Sequence, residues 1–248
     1  MRIRQVALAA SDLEKTDATL RRLLGCEQSY ADPEIIYFGL DNRLYTLGDC
    51  FLEMVSPVQP NTAAGRFLDR RGGDGGYMVI VQVENLAQEQ VRLADTGIRT
   101  VFADDRVNAK AIHLHPKEVP GAIPSLDEMS PPESWFWAGD GWEQRAGRYV
   151  RGILAVEIRS PDPEATGLCW AEAYGIELMP ADNGWRLEMD GTEIRFAHDA
   201  AAAEPALMAI DVDVVDLPAI CAAADDMGLE RDGHVVTVCG VDFNFLSH

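Results

Sequence analysis

The sequence predicts an α+β fold of four βαβββ modules paired into two tandem domains. Three observations carry this reading. An apolar strand, an Asp, Asn or Pro turn, a short helix and a glycine recur four times along the 248 residues. The intervals from Asp12 to Gly25, Asn85 to Gly97, Asp162 to Gly175 and Asp216 to Gly228 are 13, 12, 13 and 12 residues. Short apolar segments that read as strands follow each glycine.

Each element has a local cause. The first module opens on the apolar run VALAA, and Asp12 is placed to accept hydrogen bonds from the free amides of a following helix. Leu20, Leu23 and Leu24 recur at helical spacing, and Gly25 can adopt the left-handed closing conformation. Residues 34–39, 43–47 and 50–55 then read as strands. TAAGRFLDRR reads as a helix that puts Arg66 and Arg70 on one face. The second module opens on YMVIVQV, turns at Asn85 and continues with strands at 99–103, 109–115 and 122–126. The third opens on ILAVEIRS and continues with strands at 184–189 and 192–197. The fourth opens on LMAIDVDV and continues with strands at 234–238 and 241–246. The 13–12 alternation pairs modules one and two as residues 1–130 and modules three and four as residues 151–248. Residues 131–150, rich in Trp, Pro and Gly, form a crossing linker. Trp135, Trp137 and Trp142 are too apolar to hang free there, so they pack against a domain or wall a pocket.

Composition narrows the function. Lys plus Arg number 21 against 41 Asp plus Glu, for a net charge of −20. That balance argues against nucleic acid, which needs basic groups to neutralise phosphates, and against anionic membrane surfaces. A small molecule is the expected partner, and a homodimer is compatible. The five cysteines form no CxxC, so a reducing, cytoplasmic setting is expected. The N-terminus reads as a strand rather than a secretion signal, and no run approaches the roughly 20 apolar residues of a membrane span. No nucleophile elbow and no GxGxxG after a strand is present.

Several segments resemble the vicinal oxygen chelate superfamily of glyoxalase-like, methylmalonyl-CoA-epimerase-like and extradiol dioxygenase proteins. IRQVALAASDLE is similar to its opening strand and turn, and FLEMVSP to the strand that carries its first-module carboxylate. GRFLDRRGGDGGYMVIVQVENL resembles the passage between two modules. HLHPKEVPGAI resembles the hairpin before the last strand. The resemblance implies four metal ligands, commonly His or Gln, Glu, His and Glu, that polarise vicinal oxygens of a substrate and stabilise an enolate. It places Gln5 and Glu53 at the first two ligand positions. Met78 stands at the third and Ser125 near the fourth, where neither suits a hard divalent ion. Ala155 and Ala209 occupy the opening-strand positions of the later modules. Two ligands of four leave it open whether any divalent metal binds, and leave the C-terminal domain as scaffold or interface.

The remaining candidates are read from the residues. His113 and His115 alternate on a strand and should project together. They could complete a shifted metal site or supply a general base near neutral pH; alternatively His115-Pro116 only ends the strand. Arg66, Arg70 and Arg71, next to a glycine-rich stretch, are candidate contacts for a substrate carboxylate or phosphate, the bland alternative being a flexible linker. Glu157, Arg159, Asp211 and Asp213 alternate on opening strands, either as a second polar site or as solvent-facing charges. Two functions are carried forward. One is a lyase or isomerase acting on a small oxygenated metabolite, with Glu53, His113 and His115 catalytic. Gln5, Met78, Ser125, the three arginines, Trp135 and Trp137 would then line its site. The other is a metal-free protein that binds or sequesters a small molecule. A structural partner subunit is a weaker third.

Overall fold

The computed structural model describes residues 1–247; the terminal His248 lies outside the described residues. Module one comprises β1 (Arg2–Ala9), α1 (Leu13–Leu24), β2 (Leu40–Leu47) and β3 (Cys50–Pro57), and α2 (Ala63–Arg71) leads out of it. Module two comprises β4 (Gly75–Gln82), α3 (Leu86–Leu93), β5 (Thr100–Asp105), β6 (Ala109–Leu114) and β7 (Ile123–Met129). Module three comprises β8 (Val150–Ser160), α4 (Pro163–Tyr174), β9 (Met179–Ala181), β10 (Gly184–Glu188) and β11 (Glu193–His198). Module four comprises β12 (Ala206–Val214), α5 (Leu217–Met227), β13 (Arg231–Asp232), β14 (Val235–Val238) and β15 (Val241–Leu246). Modules one and two supply the strands of a seven-stranded mixed sheet, and modules three and four those of an eight-stranded one.

One pairing recurs in all four modules. The first strand runs parallel to the last, as β1·β3, β4·β7, β8·β11 and β12·β15. A parallel pair cannot be closed by a tight turn and needs a crossover, which the helix after each first strand begins. The last strand then pairs antiparallel with the one before it. The helices start where the sequence placed them. Asp12, Asn85, Asp162 and Asp216 accept from the amides of Lys15, Gln88, Ala165 and Ala219. Gly25, Gly175 and Gly228 close α1, α4 and α5 in the left-handed conformation. α3 ends earlier, at Ala94, so Gly97 lies in the turn beyond it.

Residues 34–39 correct the strand expectation. Pro33–Phe38 is a 3-10 helix, because Pro33 presets the helical φ, the Asp32 side chain accepts from the Glu34 amide, and Gly39 closes the turn at φ 71°. Module one therefore has three strands, β1, β2 and β3. His115 is also corrected: β6 stops at Leu114, so the two histidines do not share one strand.

The chain gathers into two compact units, each taking modules from both halves of the sequence. One consists of Gln5–Tyr77, Trp137–Leu154 and the chain from Ala209 onward, which is essentially modules one and four. In this one-four unit α1 buries Leu13, Leu20, Leu23 and Leu24, and packs on β2, β3 and α5. The Tyr45 hydroxyl donates to Asp17 of α1 at 3.0 Å, which assigns that face of β2 to the helix. Gly48 is required where it stands, because a Cβ there would lie 1.8 Å from the Arg151 carbonyl oxygen. The other unit consists of Met1–Arg4, Met78–Phe136 and Ala155–Met208, essentially modules two and three. In this two-three unit Arg92 of α3 donates to the carbonyls of Glu172 and Ala173 at 2.7 and 2.6 Å. It thereby satisfies acceptors that the end of α4 leaves open.

The β14–β15 connection carries a local conflict. Cys239 and Gly240 adopt φ 53° and 66° between the paired Val238 and Val241, the signs of a type I′ turn. A cysteine gains nothing from the left-handed conformation, whereas Asn tolerates it. Cys239→Asn is therefore expected to raise unfolding free energy by about 1 kcal/mol. Chemical denaturation checks this as a higher midpoint at unchanged slope; an unchanged or lower midpoint contradicts it.

Candidate functional site

In the one-four unit the site is built on β1, β2 and β3. Gln5 pairs with Phe51 and Ala7 with Glu53. Across β2, Thr46 pairs with Phe51, Leu44 with Glu53 and Asn42 with Val55. Residues in register share a face, so Gln5, Ala7, Asn42, Leu44, Phe51 and Glu53 all lie on the face away from α1. Trp142 of the linker meets Phe51 edge-on, with ring centroids 5.2 Å apart, and the Gly147 amide donates to the Thr46 carbonyl at 2.9 Å. That part of the Trp-rich segment is packing on the domain rather than hanging free.

Glu53 is 7% exposed, and each of its carboxylate oxygens accepts from an amide. Gln5 Nε2 donates to Oε2 at 2.9 Å, and Asn42 Nδ2 donates to Oε1 at 2.7 Å. The orientation of Asn42 is forced, because its Oδ1 accepts from the Asp32 backbone amide at 2.9 Å. The hydrogen-bond chain thus runs from the start of the 3-10 helix to the carboxylate. Burial pushes the Glu53 carboxyl up to about 7 from the ordinary value of 4.5. The Asn42 and Gln5 hydrogen bonds oppose that rise, and the Asp32 charge adds to it. Tyr77, packed against Phe67 at 5.1 Å, is pushed up to about 12 by burial and is neutral near pH 7.

The corresponding face in the two-three unit is chemically different. Met78 pairs with Ile123, Ile80 with Ser125 and Gln82 with Asp127. The register makes Ser125 the counterpart of Glu53, since each lies two residues beyond the partner of Met78 or Gln5. The Ser125 hydroxyl contacts Asp127 and the Ile112 carbonyl. His113 pairs with Ser125 on one side and Phe102 on the other, its ring 4.6 Å from the Phe102 ring. Burial pushes its imidazole down to about 4. It is therefore neutral near pH 7 and poorly matched to general-base work there. His115 lies past the strand, where its Nδ1 accepts from the Lys117 amide at 3.1 Å and closes a turn. Trp135 is buried under the Arg4 guanidinium, 5.4 Å from the ring centroid.

The other candidates sit apart from these groups. Arg66 is exposed on α2, donates to the Asn61 carbonyl and edges a surface cleft of about 560 Å³ beside Pro57–Asn61. Arg70 is exposed one turn on. Arg71 ties the glycine-rich turn together by donating to the carbonyls of Asp74 at 3.0 Å and Gly240 at 3.4 Å. Trp137 is half-buried. Two polar residues escaped the sequence reading. Asn42 alternates with Leu40 and Leu44 in LDNRLYTL, and a polar group in that inward series was the available signal. Asp127 lies two residues beyond Ser125 and is 2% exposed.

A divalent metal does not suit the donor set around Glu53. Amide nitrogens face both carboxylate oxygens, and the orientation of Asn42 cannot be reversed without losing the Asp32 hydrogen bond. Among the described residues, no three His, Cys, Asp or Glu side chains are grouped to hold a metal ion.

The family model described as "Glyoxalase-like domain" matches residues 6–174, more than half of the chain. The chain is 27% identical over 130 residues to mitochondrial methylmalonyl-CoA epimerase from Homo sapiens, covering 51% of this chain and 73% of that protein. It is 26% identical over 132 residues to ethylmalonyl-CoA/methylmalonyl-CoA epimerase from Cereibacter sphaeroides, covering 52% and 98%. Among solved structures, a hypothetical protein from Staphylococcus aureus superposes with TM-score 0.71 at 10% identity, over 100% of this chain and 99% of the other. A 4-hydroxymandelate synthase variant from Streptomyces coelicolor gives TM-score 0.68 at 14% identity, over 92% and 75%. These two likenesses extend the shared fold to the C-terminal half. No described helix is long and apolar enough to cross a membrane.

The raised pKa of Glu53 makes a stability prediction. A carboxyl that holds its proton more tightly when folded contributes fully below about 4.5, the ordinary value, and loses that contribution as pH climbs to about 7. The loss amounts to about 3 kcal/mol. Glu53→Gln removes the titration, and Gln5 can turn its oxygen toward the new amide. The variant should therefore gain stability relative to the parent between pH 5 and 8, as measured by urea unfolding across that range. Parallel pH profiles for the two proteins would contradict the raised pKa.

Proposed function

The chain belongs to the glyoxalase-like domain family, within the vicinal oxygen chelate superfamily, and from that premise we propose a lyase- or isomerase-type enzyme. Its chemistry is proton transfer at Glu53 on a carbon next to a carbonyl of a small oxygenated metabolite. The observation that carries this reading is the buried carboxylate of Glu53, oriented by Gln5 and Asn42. A base works best when its pKa lies near the working pH, and burial puts the Glu53 carboxyl in that range. In the proposed step the carboxylate takes the α-proton, and the C–H electron pair moves to the carbonyl oxygen as an enolate. Return of a proton to the opposite face of the enolate inverts the α-carbon and completes the isomerisation, and return to the same face exchanges the α-hydrogen with solvent. Gln5 and Asn42 hold the carboxyl in place through the cycle; no metal enters the step.

The names of the relatives suggest acyl-CoA thioesters of branched dicarboxylic acids as the first substrates to try. A thioester carbonyl acidifies its α-carbon, which suits a single carboxylate base. The test is incubation of such thioesters, and of small 2-oxo acids, in deuterated water with NMR detection of α-hydrogen exchange. Exchange should survive chelator treatment, rise with pH through about 7, and fall by about 10²-fold or more in Glu53→Gln. Exchange abolished by chelator and restored by Mn or Co would replace this reading with a metal-dependent one. Exchange undiminished in Glu53→Gln would remove Glu53 from the chemistry.

Met78, Ile80 and Ile123 favour a second reading. They place apolar side chains where module one has Gln5, Ala7 and Phe51, and such a lining suits an apolar ligand. Saturable binding of apolar ligands with no exchange on any thioester or 2-oxo acid, and equal binding by Glu53→Gln, would favour a binding protein.

A further inference from the structure

The face of module three in the two-three unit carries a concentration of arginines that the function above does not use. By register, Ala155 corresponds to Gln5, and Arg195 corresponds to Glu53. A guanidinium therefore stands where module one has its carboxylate. Arg195 is directly opposite Arg186 on β10, and Ala197 is opposite both Gly184 on β10 and Arg159 on β8. Arg159, Arg186 and Arg195 thus border a floor made of Gly184 and Ala197, which have almost no side chain. The three side chains are 32%, 35% and 25% exposed, so water reaches them.

The arrangement is a poor one for stability alone. Direct cross-strand pairing of like charges is destabilising, and it occurs here twice, at Arg186–Arg195 and at Glu188–Glu193. Glutamates compensate along the strands: Glu157 lies 2.9 Å from Arg159 and 3.7 Å from Arg195, Glu193 3.1 Å from Arg195, and Glu188 2.6 Å from Arg186. Arg186 Nε nevertheless remains a buried N–H donor with no acceptor, a state that costs free energy unless something supplies one.

We propose that this face is a binding site for a small anion, with a carboxylate or phosphate group seated over Gly184 and Ala197 and held by Arg186, Arg195 and Arg159. An oxygen of the anion accepts from Arg186 Nε, and the charge of the anion relieves the opposition of Arg186 and Arg195. Forked guanidinium donors match the planar pair of oxygens on a carboxylate and two oxygens of a phosphate. The site is independent of Glu53, which belongs to the one-four unit.

Titration calorimetry with inorganic phosphate and, separately, malonate, at constant ionic strength, tests the proposal on the full chain. Saturable binding of either supports it, and the tighter of the two identifies the group preferred. Arg186→Gln should weaken that binding about tenfold or more, and Arg186→Lys by less, because the charge stays while the forked donors go. Arg22→Gln, in an exposed ion pair of the one-four unit, should change nothing, and circular dichroism should show each variant folded. No saturable binding of either anion, or equal binding by parent and Arg186→Gln, overturns the proposal.

Discussion

The parallel pairing of each module's first strand with its last is the constraint on which the rest depends. It obliges the chain to cross over between the two strands, and the capped helix begins that crossover. It also sets which residues meet. The residue seven before the helix cap is Gln5, Met78, Ala155 or Ala209. Its neighbour's position two residues on is Glu53, Ser125, Arg195 or Asn244. One backbone frame thus presents an amide with a carboxylate, a thioether with a hydroxyl, a methyl with a guanidinium, and a methyl with an amide. The four modules share their geometry and differ in what they offer a ligand.

Module one sets a buried carboxylate against two amide donors, of which Asn42 is held in orientation by the Asp32 amide. Two effects compete there. Removing a carboxylate from water favours its neutral form, while N–H donors favour its charged form. Burial is the larger effect, with a contribution from Asp32, and the balance leaves Glu53 near neutrality. Asn42 matters beyond its own hydrogen bond, because Asp32 holds it from the backbone. The 3-10 helix that replaces a strand in module one therefore supports the carboxylate as well as closing a turn.

Local features were the legible ones. Caps at Asp12, Asn85, Asp162 and Asp216 depend on neighbours three residues away, and the helices begin where those residues predict. Residues 34–39 were misread because IIYF looks like a strand, while Pro33 and Asp32 outweigh that preference. His115 was misread for the converse reason: the alternation in IHLHP continues past Leu114, but its imidazole is committed to the turn. Gln5 and Glu53 were recognisable as a pair through the family resemblance. Asn42 was not, because its role depends on a hydrogen bond from Asp32 and on β2–β3 register. The charges of the third module looked like a solvated edge, and only the register reveals arginine facing arginine. The grouping of modules into compact units rests on contacts between segments far apart in sequence, which no local pattern encodes.

The chemistry proposed for module one rests on Glu53 being a buried carboxyl poised to exchange its proton near neutral pH. Titration of its side-chain carboxyl by carbon-13 NMR, with Glu53→Gln used to assign the signal, tests this most directly. The expected midpoint is near 7. A midpoint near the ordinary glutamate value of about 4.3 would contradict it.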